Sequence, residues 1–143
     1  MAKRILVPLS SRDDADALIP LVADLARGAG ATVRLLHVAP LPQNRVDAFN
    51  RIRVFASQEH ERLEAEGQDH LAAVELHLDG VAVEGRVRFG DLVEETALEA
   101  DAFGAELIAL GGGRPRWWHV LALGRMARRI ARKATAPVMV LAC

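Results

Sequence analysis

The sequence predicts one α/β domain, a five-stranded, mostly parallel open sheet that is doubly wound, with helices on both faces. Three observations predict it. Short apolar, β-branched runs alternate along the chain with longer stretches whose apolar residues recur at helical spacing. Glycine or proline punctuates most junctions between them. Strand–helix alternation of this kind makes parallel strands joined by right-handed crossovers. At 143 residues the chain has room for one core, so residues 1–143 are read as one domain.

Lys3-Arg4-Ile5-Leu6-Val7-Pro8 is a short apolar run closed by proline, suited to a strand buried on both faces. Ser10 or Ser11 then caps a helix, and Asp13, Asp14 and Asp16 sit at its positive end. Leu18, Leu21, Val22 and Leu25 recur at helical spacing up to Gly28 and Gly30. Pro20 removes one internal hydrogen bond and predicts a kink. Thr32 to Val38 is the second strand, with Pro40 and Pro42 behind it. From about Val46 the positions of Phe49, Ile52, Ala56, His60, Leu63, Leu71 and Val74 predict a long helix, interrupted near Gly67 and ended by Gly80. Val81 to Arg88 alternates as a third strand. Gly90-Asp91 turns into a helix over Leu92 to Phe103, ended by Gly104. Glu106 to Leu110 is the fourth strand, Gly111 to Gly124 its exit loop, Gly124 to Ala134 a helix, and Val138 to Leu141 the fifth strand.

Charge is distributed unevenly. Leu107 to Cys143 holds seven basic residues and no acid, while the rest of the chain holds eleven basic against nineteen acidic residues. The two parts carry +7 and −8, so the C-terminal quarter presents a positive surface to an anionic ligand or partner. Arg125, Arg128, Arg129 and Arg132 fall on one helical face, opposite Met126, Ala127, Ile130, Ala131 and Ala134. A solvated charged face competes with that reading. Phe and Trp total six and do not alternate with the basic residues, which argues against nucleic acid. The lone cysteine, Cys143, excludes an intrachain disulfide and a thiol metal cluster. No apolar run is long enough for a membrane span and the N-terminus lacks a secretory pattern, so the expectation is a cytoplasmic protein.

In an open parallel sheet, ligands bind beyond the carboxyl ends of the strands. That rule gathers Leu9-Ser10-Ser11, Val38-Ala39-Pro40 and Gly111 to Gly124 at one rim. With those segments in place the chain resembles the universal stress protein family over nearly its whole length. The resemblance is carried by "RILVPLS", "ATVRLLHV", "FGDLVEETALEADAFGAELIALG" and "GRMARRIARKATAPVMVLAC". It implies the adenine nucleotide alpha hydrolase-like, Rossmann-like arrangement of the sheet.

The nucleotide-binding branch of that family has a glycine, two residues, a second glycine, nine residues, then glycine followed by serine or threonine. Gly111 and Gly124 match the first and third glycines. Arg114 stands at the second, and Arg125 at the hydroxyl position. The acid that usually follows the first strand is Ser10, with Ser11 and Arg12 where glycine and serine are usual. The resemblance implies a nucleotide site made of Ser10, Val38, Leu110, Gly111, Arg114, Gly124, Arg125 and Met126. Arg114 narrows a backbone cradle, because a Cβ there crowds the approach of phosphate. An arginine fork at 114 and at the start of the last helix offers side-chain contacts instead.

Three expectations follow. The first is a non-enzymatic, stress-linked binding protein with an electropositive, impaired nucleotide pocket and no required cofactor. The alternative is a binder of ATP or another adenine nucleotide that uses Arg114 and Arg125 for phosphate. The third is a module that docks an acidic protein partner through Trp117, Trp118 and the arginine stripe, with an anionic small molecule as a further partner expectation. At the rim, Ser10, Ser11 and His119 are too few for a catalytic triad. His60, Glu61, Glu64, His70 and His77 match no closed metal-site spacing. The resemblance also implies a homodimer through Val138–Leu141, an apolar edge.

Overall fold

The computed structural model describes residues 3–9, 12–112 and 117–142, excluding the side chains of 12–17, 45, 53, 54, 112, 117–120 and 142. Its elements are β1 (Arg4–Leu9), α1 (Arg12–Ala29), β2 (Thr32–Ala39), β3 (Arg45–Val46), β4 (Ile52–Val54), α2 (Ala56–Glu75), β5 (Ala82–Phe89), α3 (Leu92–Phe103), β6 (Leu107–Gly112), α4 (Trp117–Lys133) and β7 (Val138–Ala142). The five long strands form one parallel sheet in the order β5-β2-β1-β6-β7.

β1 occupies the centre because its side chains are apolar on both faces. Ile5, Val7 and Leu9 point into one core with Leu18, Val22, Val33, Leu35, Leu71 and Val74, which α1 and α2 complete. Leu6 points into the other with Leu36, Val93, Phe103, Ile108, Leu110 and Ile130, which α3 and α4 complete. Burying each of these side chains stabilises the fold by roughly 1.5–3 kcal/mol relative to leaving it exposed. α1 runs on through Pro20, an exposed position, and the strand before it extends one residue beyond Pro8. No helix of the described residues is long and apolar enough to cross a membrane.

The expected helix from Val46 is corrected. Residues 45–54 form a short antiparallel hairpin, β3 pairing with β4, and α2 begins only at Ala56. The Asp47 carboxylate accepts from the backbone N–H of Phe49 and Arg51, and Asn50 adopts φ 60°, so side-chain hydrogen bonding selects a turn over a helix. Asn44 then accepts from Ala56 N–H at 2.7 Å and Gln58 from Phe55 N–H at 3.1 Å, which satisfies the start of α2.

Gly67 does not interrupt α2. A Cβ there would come within 2.8 Å of Val87 Cγ2 and 2.9 Å of His37 Cδ2, so glycine lets the helix lie close on β2 and β5. Beside it, His37 Nδ1 and His70 Nδ1 stand 3.0 Å apart, one donating and the other accepting.

The polar face of edge strand β5 does not meet water alone. Glu99, on α3 and 4% exposed, accepts from Arg34 of β2 at 2.8 Å and from Arg88 of β5 at 2.6 Å. Arg34 also binds Glu84 at 2.6 Å, Arg88 binds Glu95 at 2.8 Å, and the Arg34 guanidinium lies 4.1 Å from the Phe103 ring centre. Asp91 caps α3 by accepting from Glu94 N–H, and Gly104 ends it at φ 71°.

Two outcomes are expected from this packing. Glu99→Ala takes one carboxylate from each of two partly buried arginines, which keep Glu84 and Glu95, and denaturant titration is expected to show a loss below the roughly 3–5 kcal/mol of a fully uncompensated buried charge. Burial pushes the His37 imidazole below its usual 6.5, with Glu66 opposing the shift. The unfolded chain therefore takes up a proton that the folded state refuses. This contribution to stability is complete above pH 6.5 and is lost as pH falls below it. The pH dependence of the denaturation midpoint is expected to flatten in His37→Gln.

Candidate functional site: the crevice between β1 and β6

The strand order reverses at β1, whose neighbours are β2 on one side and β6 on the other. The chain leaves β1 for α1 on one face and leaves β6 for α4 on the opposite face, which opens a crevice at their carboxyl ends. The described ladder between them pairs Ile5 with Leu107 and Leu6 with Ile108. Ser10 and Arg114, expected at this rim, lie outside the described residues, as does Ser11.

Val38, Leu110 and Met126 share one core. All three pack in the core beneath α3 and α4, with Leu110 buried and the other two half-buried. Gly111 faces the other way. A Cβ on it would fall 2.5 Å from Leu18 Cδ1 and 3.0 Å from Leu18 Cβ, so close packing of α1 on β6 demands glycine here without any ligand.

The last helix differs from expectation. It starts at Trp117 and not at Gly124, because the run from Trp117 to Leu123 contains good helix formers and no proline or glycine. Only residues 113–116 separate β6 from α4. Gly124 is therefore inside the helix, with nothing within 4 Å of the position a Cβ would take. Arg125 projects, exposed, two turns beyond the helix start. The unpaired N–H groups of the first turn, which favour an anion, do not lie beside it. Trp117 and Trp118 belong to the first turn of α4 and not to a loop; their side chains lie outside the described residues.

Among the described residues no three His, Cys, Asp or Glu side chains gather as metal ligands. His60 stacks on Phe89 at 4.4 Å and lies 3.7 Å from Glu64. A cavity of about 240 Å³ lies at the opposite rim, between the starts of β1 and β6 and the end of α1. The sequence reading passed over Arg34 and Glu99. A charge inside each otherwise apolar pattern was the available signal, and it marks a packing network and not a ligand site.

The two glycines are expected to respond oppositely to alanine. Gly111→Ala is expected to destabilise by roughly 1–3 kcal/mol, with a smaller added loss when Leu18→Ala is already present. Gly124→Ala is expected to stabilise by up to about 1 kcal/mol, because it fills no contact and improves helix propensity. Both are read by denaturant titration without nucleotide.

Comparison with known proteins agrees with this geometry. The model of the universal stress protein family matches residues 1–142. Universal stress protein G of Shigella flexneri is 28% identical over 98% of this chain and 99% of its own length. Among solved structures, universal stress protein UspA from Lactobacillus plantarum superposes with a TM-score of 0.74 at 20% identity, covering 97% of each chain. The universal stress protein from Archaeoglobus fulgidus in complex with dAMP superposes with a TM-score of 0.60 at 17% identity, covering 98% of this chain and 97% of that one. An order of strands with its crevice at β1 and β6, joined to a family match across the whole described chain, places this protein in the universal stress protein family.

Proposed function

We propose that this protein is a non-enzymatic regulatory binding protein whose nucleotide crevice has lost its phosphate cradle. The observation that carries the reading is the start of α4 at Trp117. The nucleotide-binding branch needs a nine-residue loop before its third glycine, and here the larger part of that interval is helical. Backbone N–H groups beyond the first turn of this helix, from Leu121 through Gly124, are committed to carbonyls four residues back and cannot turn to a phosphate. Gly111 is accounted for by Leu18, and Ser10 replaces a carboxylate that would accept strong hydrogen bonds from ribose hydroxyls.

The relative from Archaeoglobus fulgidus holds dAMP, a ligand with a single phosphate. An apolar base end built on Val38, Leu110 and Met126 is compatible with an adenine nucleotide here, while the triphosphate end is the altered part. Calorimetric titration with ATP and Mg²⁺ is expected to give affinity weaker than about 1 µM, or about −8 kcal/mol. Tighter binding that collapses in Arg114→Ala overturns the reading and establishes the arginine-based phosphate site.

The same reading includes a homodimer through β7. This strand is an edge of the sheet, and Met139 and Val140 are each 38% exposed on it. Sedimentation at micromolar concentration is expected to return twice the chain mass, and a monomer there removes the pairing.

A further inference from the structure

Among the described residues, the arginines on the outward face of α4 are exposed and pair with no acid. From Leu121 this face runs through Arg125, Arg128 and Arg132, and Lys133 with Glu94 is the ion pair that the described side chains of this helix make. Leu121 is 53% exposed at one end of the stripe. Its spacing, four residues, three, then four, keeps one straight seam on a helix.

The outward face of α2 carries the same spacing read in the opposite direction. Leu76, at the helix end, is 81% exposed; Ala72, Asp69 and Ala65 follow, and Glu61 lies one turn further. All are exposed, and the buried side of α2 holds Leu63, Gly67, Leu71 and Val74. The two seams thus begin with an unpartnered leucine and continue with opposite charge.

We propose that α4 of one copy docks antiparallel on α2 of a second copy of this chain. Leu121 meets Leu76, and Arg128 meets Asp69. Arg125 and Arg132 lay their stems over Ala72 and Ala65, whose small side chains leave room for them, and Arg132 reaches on to Glu61. A foreign anion or nucleic acid has a use for the arginines but none for the leucine or the matched spacing. The complement to both is on this chain itself.

α2 covers one face of the sheet and α4 the other. The contact is therefore head-to-tail, and each copy joining an assembly leaves one α2 and one α4 face open. Association grows with concentration and weakens with salt, because its charges sit at exposed positions. It is separate from pairing through β7, which sets a floor that charge changes on α2 and α4 do not lower.

Sedimentation velocity of the full chain over a wide concentration range tests this. At low salt the weight-average mass is expected to rise with concentration, and at high salt to return to the floor. The pair Arg128→Glu with Arg132→Glu, and separately Glu61→Arg with Asp69→Arg, are each expected to abolish the rise. Mixing the two variants is expected to restore it, since each then supplies the charge that the other lacks. Leu76→Asp offers a second route to the same loss, and thermal unfolding of each variant confirms that the fold is kept. A native mass that stays flat overturns the proposal, including the case where the flat protein binds poly-glutamate or an oligonucleotide. A rise that survives either reversal, or that mixing fails to restore, overturns it as well.

Discussion

The whole molecule depends on a central strand that must be covered on both faces. β1 has no polar side to give to water: Ile5, Val7 and Leu9 face α1 and α2, and Leu6 faces the other layer. A parallel sheet with such a strand is stable only when helices close over each face, which requires crossovers in both directions and a reversal of strand order at the centre. The crevice is thus a consequence of burying β1. The chain must form it whatever it binds.

Away from the centre the sheet solves a different problem. β5 is an edge whose Glu84 and Arg88 project from the same face, where a purely apolar helix would leave them unanswered. Glu99 on α3 bridges Arg34 and Arg88 and so joins two neighbouring strands to one helix. An ionic bridge of this kind adds little net stability over a well-packed apolar contact, yet it penalises any register in which the charges separate. It specifies how α3 sits on β2 and β5.

Glycine in this chain follows packing more closely than ligand chemistry. Gly67 admits α2 to the sheet beside Val87 and His37, and Gly111 admits α1 beside Leu18. A spacing that matches a phosphate loop therefore arises partly from close contact between a helix and a strand. Gly124 has no such contact and stands inside α4, where the residues before it have taken up helix. The spacing survives in the letters of the sequence, while its third position stands on the side of a helix.

The amino-acid order by itself determined the five strands, their parallel arrangement, α3 from Leu92 to Phe103 and the positive outer stripe of α4, because apolar periodicity and turn residues act locally. Tertiary structure decided the rest. The hairpin at 45–54 arose where the Asp47 carboxylate competed with helix for the same N–H groups, and apolar residues at helical spacing could not reveal that competition. The early start of α4 was hidden because a glycine read as a helix boundary is equally tolerated within a helix that packs well on one side. The pairing of Arg34 with Glu99 spans 65 residues, the contact of Leu18 with Gly111 joins α1 to β6, and no local pattern carries contacts of that range.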